Sequence, residues 1–320
     1  MNRTVLFILL FLLAWIILGV FICKKYLCGA SIAAPAAAAA VAPAVVAPDA
    51  ICDDAWNIKD GSAFRTNANE HVTFKKGSFN HLAPSTAATK AMTETANYLK
   101  GKSDRGLTIT GYYDRDEKYS GVMTNLGLHR ANDVKKILTG MGVPAKQLAT
   151  VGALHGASCK AHGAKTCFRQ EAGVKGDAGT ILRRGASFSF NAVAGGDDKL
   201  AAIKKRLLGK PITLYFATNS DDIGLNTQQR TDFTDLIYYL DNVPSAKLDV
   251  EGHTDNVGDP AYNVQLSNGR AKFARDYLVS NGSIPATRMN VNGLGPNKPV
   301  ANNSTAEGKA KNRRVEVTLR

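Results

Sequence analysis

One pattern occurs twice in this chain and sets most of what the chain can fold into. Leu248 and Val250 alternate with polar neighbours, Gly252 follows, and Asp255 lies three residues further on; Arg270 stands fifteen residues beyond that acid. In the other copy, residues 107–110 lead into Gly111, with Asp114 three residues on and Arg130 sixteen residues beyond the acid. Strict alternation marks a half-buried strand, and apolar recurrence every three to four residues marks a helix. Each copy therefore holds a strand, a loop bearing an acid, and a helix bearing an arginine.

The flanking residues extend both copies in one order. In the second, residues 212–216 predict a strand and 226–240 a helix, with Phe233, Leu236, Ile237 and Leu240 at helical spacing. A strand over 247–251, a helix over 262–281 ended by Gly282, and short strands over 288–292 and 314–319 complete it. In the first, strands over 72–74, 107–110, 148–154 and 184–190 alternate with helices over 85–99 and 126–140, again β-α-β-α-β-β. That order places helices on one face of a small mixed sheet, an α/β protein of the α+β sandwich kind. Two copies are too few for a solenoid. The expectation is two tandem domains, residues 51–198 and 210–320, joined by a charged connector over 199–209.

Charge separates the two copies. Residues 51–209 carry 24 Lys/Arg against 14 Asp/Glu, whereas residues 210–320 carry 13 against 12. The first copy is thus +10 and the second +1. A basic domain attracts anionic polymers or surfaces. No aromatic-basic interleaving and no helix-turn-helix pattern points to nucleic acid, and an anionic envelope polymer is equally allowed.

Residues 5–23 contain no charge and are rich in Leu, Ile and Phe. At about 1.5 Å per residue they reach roughly 28 Å, close to a bilayer core. The run exceeds the usual signal-peptide core of about 7–15 residues, so residues 1–30 are expected to form a retained membrane anchor. Cleavage after Ala30 is the open alternative. Residues 31–50 are almost entirely Ala, Pro and Val, and Pro35, Pro43 and Pro48 break any continuous helix. They read as a semi-rigid linker. Cys159 and Cys167, close together in a Gly/Lys-rich loop, are the natural disulfide pair in an oxidising compartment; in a reducing one they are two loop thiols.

Asp255 and Arg270 together suit a ligand bearing both an ammonium and a carboxylate. Arginine's planar fork takes a carboxylate bidentately, and such charge-assisted bonds are the stronger ones. The alternative at this level is that the two side chains simply pair with each other. His253 beside Asp255 has no third ligand evident nearby, so no metal site is expected.

Residues 210–320 resemble the OmpA-like C-terminal domain, the peptidoglycan-associated module of bacterial envelope proteins. The matching stretches are Phe216 to Ser220, EGHTDN at 251–256, Tyr262-Asn263 through Arg270-Ala271, Gly293-Leu294-Gly295, and NNSTAEGKAKNRRV at 302–315. The resemblance implies non-covalent binding of the diaminopimelate in the peptidoglycan stem peptide. It assigns the acid to Asp255 and the helix arginine to Arg270, with Asn219, Asn263, Thr254 and Arg313 around them. Ala217 departs from the family, which usually carries an acid there. The first copy is a degenerate version, keeping Asp114, Arg130 and Arg183 while Tyr112 and Tyr113 replace His253 and Thr254.

The resulting expectation is a non-enzymatic tether, single-pass in the inner membrane, with its soluble domains in the periplasm and peptidoglycan as its partner. A structural subunit of a secretion or motility machine, with the first domain binding an envelope protein, is the second reading. A cell-wall enzyme is the third, and no GxSxG, HExxH or reactive Cys-His arrangement supports it. No catalytic residue, cofactor or nucleic-acid partner is expected.

Overall fold

The computed structural model describes residues 56–68, 72–154, 181–182, 185–193, 196–215 and 223–320. The expected membrane segment, the Ala/Pro-rich linker, Cys159, Cys167, Arg183 and Asn219 lie outside the described residues. Among the described residues, no helix is long and apolar enough to cross a membrane.

The described residues begin with a hairpin not expected from the sequence, β1 (Trp56–Asp60) and β2 (Phe64–Ala68), paired antiparallel. Trp56 and Ile58 are buried, and the Trp56 ring meets Phe188 at 4.0 Å between centroids. Then follow β3 (Phe74–Lys75), α1 (Thr86–Lys100), β4 (Arg105–Tyr113), α2 (Leu126–Gly140), β5 (Leu148–Leu154), β6 (Ile181–Leu182) and β7 (Ala186–Ala192). Both helices start at side-chain caps. Ser85 accepts from the Ala88 N–H, and Asn125 accepts from the Leu128 N–H, satisfying donors that a helix start leaves unpaired. Helix α1 buries Ala88, Ala91, Met92, Thr95, Ala96 and Leu99, the one-sided spacing of a helix laid on a core.

The second half runs α3 (Gly196–Leu207), β8 (Ile212–Tyr215), α4 (Thr227–Asn242), β9 (Leu248–Gly252), α5 (Pro260–Gly282), β10 (Met289–Gly293), α6 (Ala306–Asn312) and β11 (Arg314–Leu319). Asn226 and Gln229 form a reciprocal capping box on α4, and Asp259 caps α5 with Pro260 in its first turn. The helix end differs from expectation. Gly282 is still helical, and Ser283 takes the left-handed conformation at φ 51°. The short helix α6 was also not predicted.

The two larger sheets among the described residues share one arrangement. Strand β4 is parallel to β5 and antiparallel to β7; β9 is parallel to β10 and antiparallel to β11. In the second sheet β8 adds to the far side of β11. Each central strand carries a glycine near its end, Gly111 in β4 and Gly252 in β9, pressed against the arginine-bearing helix. A Cβ on Gly252 would collide with the Ser267 carbonyl, and one on Gly111 with the Gly127 carbonyl. This close approach fixes where the arginine emerges relative to the loop.

The halves have separate cores that interlock. Leu107, Ile109, Val134 and Leu138 belong to the first, and Phe233, Ile237, Leu248 and Leu278 to the second. Val122 and Met123, from the first half, are buried in the second core. The Val122 N–H donates to the Asn281 carbonyl at 3.1 Å, and the Tyr277 hydroxyl donates to the Ser120 carbonyl at 2.9 Å. Lys135, its side chain only 2 % exposed, faces Asp241 at 3.7 Å. Helix α3 lies over 196–207, a little earlier than the expected connector, and its Ile203 and Leu207 pack in the second core.

Candidate functional site

The loop after β9 is held by backbone bonds before any side chain acts. The His253 N–H donates to the Arg314 carbonyl at 2.9 Å, and the Thr254 N–H donates to the Gly295 carbonyl at 3.0 Å. Asp255 follows at the sheet's edge. Asn263, buried on the first turns of α5, donates from Nδ2 to the Val257 carbonyl at 2.9 Å and so pins the loop to the helix. Thr254, Asp255 and Asn263 therefore sit on one scaffold with Arg270, and Arg313 joins them between α6 and β11.

Asp255 and Arg270 do not form an ion pair. Arg313 Nη1 donates to Asp255 Oδ2 at 2.8 Å, and the Val257 N–H donates to Oδ1 at 3.2 Å. Arg270 lies nearby with its Nη1 buried and without a hydrogen-bond partner among the described residues. Burial and the charge of Arg313 both lower the Arg270 pKa, opposed by Asp255 and Tyr262. Two guanidiniums thus flank one carboxylate, and the local balance is positive. Thr254 Oγ1 is likewise buried and unpartnered. Tyr262, 62 % exposed, borders the same place; nothing in the sequence distinguished it from a surface tyrosine.

Chemically, the arrangement offers an unsatisfied N–H donor from a fixed cation and a carboxylate with lone pairs still unused. Ionised carboxylates accept at about four sites, and Asp255 employs two within the protein. A buried donor left unpaired costs about 1–3 kcal/mol, more when charged, so the site favours an incoming carboxylate. His253 is 1 % exposed with neither ring nitrogen hydrogen-bonded. Burial, reinforced by Arg314, pushes its pKa down to about 4.

In the first half, Arg130 meets a carboxylate other than Asp114. Arg130 is fully buried and its fork binds Glu117, with Nη2 donating to Oε1 at 2.6 Å and Nη1 to Oε2 at 3.0 Å. It also donates to the carbonyls of Ser78, Tyr112 and Lys75. Glu117 in turn accepts from the N–H groups of Gly77 and Asp114, each at 2.8 Å. Burial raises the Glu117 pKa, but the bonds from Arg130, Gly77 and Asp114 outweigh it and hold the carboxyl below its usual range. Asp114 itself is pushed up, by burial and then by Glu117 and Asp116. Sequence spacing drew attention to Asp114 because it aligns with Asp255. Glu117, three residues on, has no counterpart in that alignment.

The OmpA family model matches residues 73–167 and 215–313, together more than half of the chain. The chain belongs to the OmpA family. Among curated relatives, outer membrane porin F of Pseudomonas aeruginosa is 48 % identical over 88 residues, which is 28 % of this chain and 25 % of the porin. Probable lipoprotein YiaD of Escherichia coli is 39 % identical over 116 residues, 35 % of this chain and 50 % of that protein. Peptidoglycan-binding protein ArfA of Mycobacterium tuberculosis is 45 % identical over 76 residues, 24 % of this chain and 23 % of ArfA. The chain spans half or less of the length of these three relatives.

Proposed function

We propose that the second half of this OmpA-family chain binds peptidoglycan non-covalently through a diamino acid of the stem peptide, diaminopimelate by the family resemblance. The observation that carries the reading is Arg270, whose Nη1 is buried without a partner beside a carboxylate already engaged by Arg313. Arg270 takes the ligand carboxylate. Asp255, backed by Arg313, accepts from the ligand ammonium. Thr254 and Asn263 shape the loop between them, and Asn219 is assigned to the rim by the resemblance alone. The similarity to ArfA, a peptidoglycan-binding protein, supports this assignment.

The wider proposal is a tether. Residues 5–23 anchor the chain in the inner membrane as a single span, residues 31–50 hold the soluble part off it, and both OmpA-like domains lie in the periplasm. There Cys159 and Cys167 form a disulfide. The first domain is a duplicate that has lost stem-peptide binding and presents a basic surface to an anionic or protein partner of the envelope.

The test is co-sedimentation of the full chain with isolated peptidoglycan sacculi. The wild type should pellet with sacculi, and Arg270→Ala and Asp255→Ala should remain in the supernatant while keeping native circular dichroism. Equal pelleting of both folded variants would overturn the assignment.

A further inference from the structure

Behind the ligand loop lies a second cluster that the proposed wall-binding site does not use. Glu251 lies in β9 and His253 directly follows the strand's last residue, two positions on. Glu316 on β11 stands directly opposite Glu251 in the antiparallel register. One potential ligand atom from each of the three side chains lies within 4.8 Å of the other two. His253 Nε2 is 3.9 Å from Glu316 Oε2.

Two features of this cluster call for a cation. Carboxylates directly opposite each other on neighbouring strands repel. His253, 1 % exposed, leaves both ring nitrogens without a hydrogen bond, although buried polar groups almost always find a partner. The neighbouring cations answer only the first need. Arg314 Nε donates to Glu316 Oε1 at 2.6 Å, leaving Oε2 turned toward His253. Lys298 stands 3.9 Å from Glu251, its side chain 63 % exposed. Neither supplies an acceptor or a donor to the imidazole.

We propose that Glu251, His253 and Glu316 bind a divalent first-row transition metal ion, zinc in the first instance. One imidazole and two carboxylates are a suitable donor set for it. Zinc bonds of about 2.0–2.2 Å to nitrogen and oxygen put tetrahedral ligand atoms roughly 3.4 Å apart. The observed spacing reaches that with small side-chain rotations. Arg314 then acts as an outer partner that orients Glu316, a role such hydrogen bonds commonly play around metals. Local sequence could not reveal the site, because Glu316 lies 63 residues beyond His253 and joins it only through the β9–β11 pairing. The ion ties the first residue of the ligand loop to β11. The proposal is independent of the reading of Asp255 and Arg270.

The experiment is isothermal titration of the full chain with zinc chloride, its cysteines first alkylated, beside His253→Gln, Glu251→Gln and Glu316→Gln. Magnesium chloride in excess serves as the hard-cation control. We expect a zinc site in the wild type that magnesium does not displace. It should be absent in His253→Gln and weakened about tenfold or more in each glutamine-for-glutamate variant, at least the scale of outer-partner changes. The proposal is overturned if the wild type takes up no zinc, or if folded His253→Gln and Glu251→Gln bind zinc as tightly as the wild type. Should His253→Gln fail to fold, Glu251→Gln, whose side chain is partly exposed, decides alone.

Discussion

Arg130 and Arg270 occupy corresponding places on two similar scaffolds and end in opposite conditions. Arg130 is fully buried, with Glu117 across its fork and three carbonyls around it. Arg270 is only partly buried and keeps an Nη1 that no described residue satisfies. The first copy did not become different by losing its acid or its arginine. It differs through a carboxylate of its own, Glu117, set where an external one would bind. The neighbouring position follows suit. Beside Arg130, His129 is buried and stacked on Phe79 at 3.7 Å, whereas beside Arg270 stands the exposed Gly269. One strand-loop-helix arrangement thus occurs with its arginine closed by an internal carboxylate and, in the second half, without such closure, which is the difference the proposed ligand site rests on.

The largest expected effect breaks the closed copy. Glu117→Gln leaves Arg130 charged and buried without its counter-charge, and losing one partner of a buried pair costs about 3–5 kcal/mol. Urea unfolding of the full chain should show a midpoint lowered accordingly. A change below about 1 kcal/mol would mean that the three carbonyls alone satisfy Arg130, and the contrast between the copies would weaken.

A somewhat smaller effect should be common to both copies. Gly252→Ala and Gly111→Ala each force a Cβ into a backbone carbonyl of the packed helix, and overpacking of this kind costs about 1–3 kcal/mol. Similar losses from the two would establish that the strand–helix contact is shared even though the sites are not. A large loss in one and none in the other would limit the likeness to topology.

Acid should act on both copies, through His129 in the first and His253 in the second, and substitution of His129 isolates the first copy's share. Burial, with a smaller contribution from Lys136, pushes the His129 pKa from 6.5 down to about 3. Its Nδ1 is hydrogen-bonded to the Tyr119 hydroxyl at 3.0 Å. The unfolded chain binds a proton at this residue below about pH 6.5 while the folded chain does not, so stability is lost as pH falls from there toward 3. His129→Gln should flatten the dependence of the melting temperature on pH across that window. An unchanged slope would show that His129 is not held neutral.

Much of this fold was legible in the sequence because its strands and helices bury one face with the expected period. The limits of α2, β5 and β11 fall where periodicity placed them. The β1–β2 hairpin was not legible. Its alternation is short, and its burial comes from Phe188 and other residues far along the chain. The open site was legible as a set of residues but not as a set of bonds. Asp255, Arg270 and Arg313 were all expected there, yet only the folded structure shows that Arg313 takes the acid and leaves Arg270 Nη1 without a partner among the described residues. In the closed site the partner was not foreseen: sequence spacing singled out Asp114, while the loop curls so that the Asp114 N–H and Arg130 both bind Glu117.

The smallest expected effect on stability is also the sharpest test of the contrast. If Arg270 makes no compensating bond, replacing it with alanine removes a partly buried charge and loses only the packing of its stem. Substitutions that break no buried network usually fall within about 0.5 kcal/mol, and relief of repulsion from Arg313 works in the stabilising direction. Arg130→Ala, by contrast, strands the buried Glu117 and should cost about as much as Glu117→Gln, on the order of 3–5 kcal/mol. Urea midpoints of the two alanine variants, measured side by side, make the comparison directly. Were Arg270→Ala to destabilise as much as Arg130→Ala, Arg270 would be a structural residue like its counterpart. An arginine kept at no benefit to folding is one kept for what it binds.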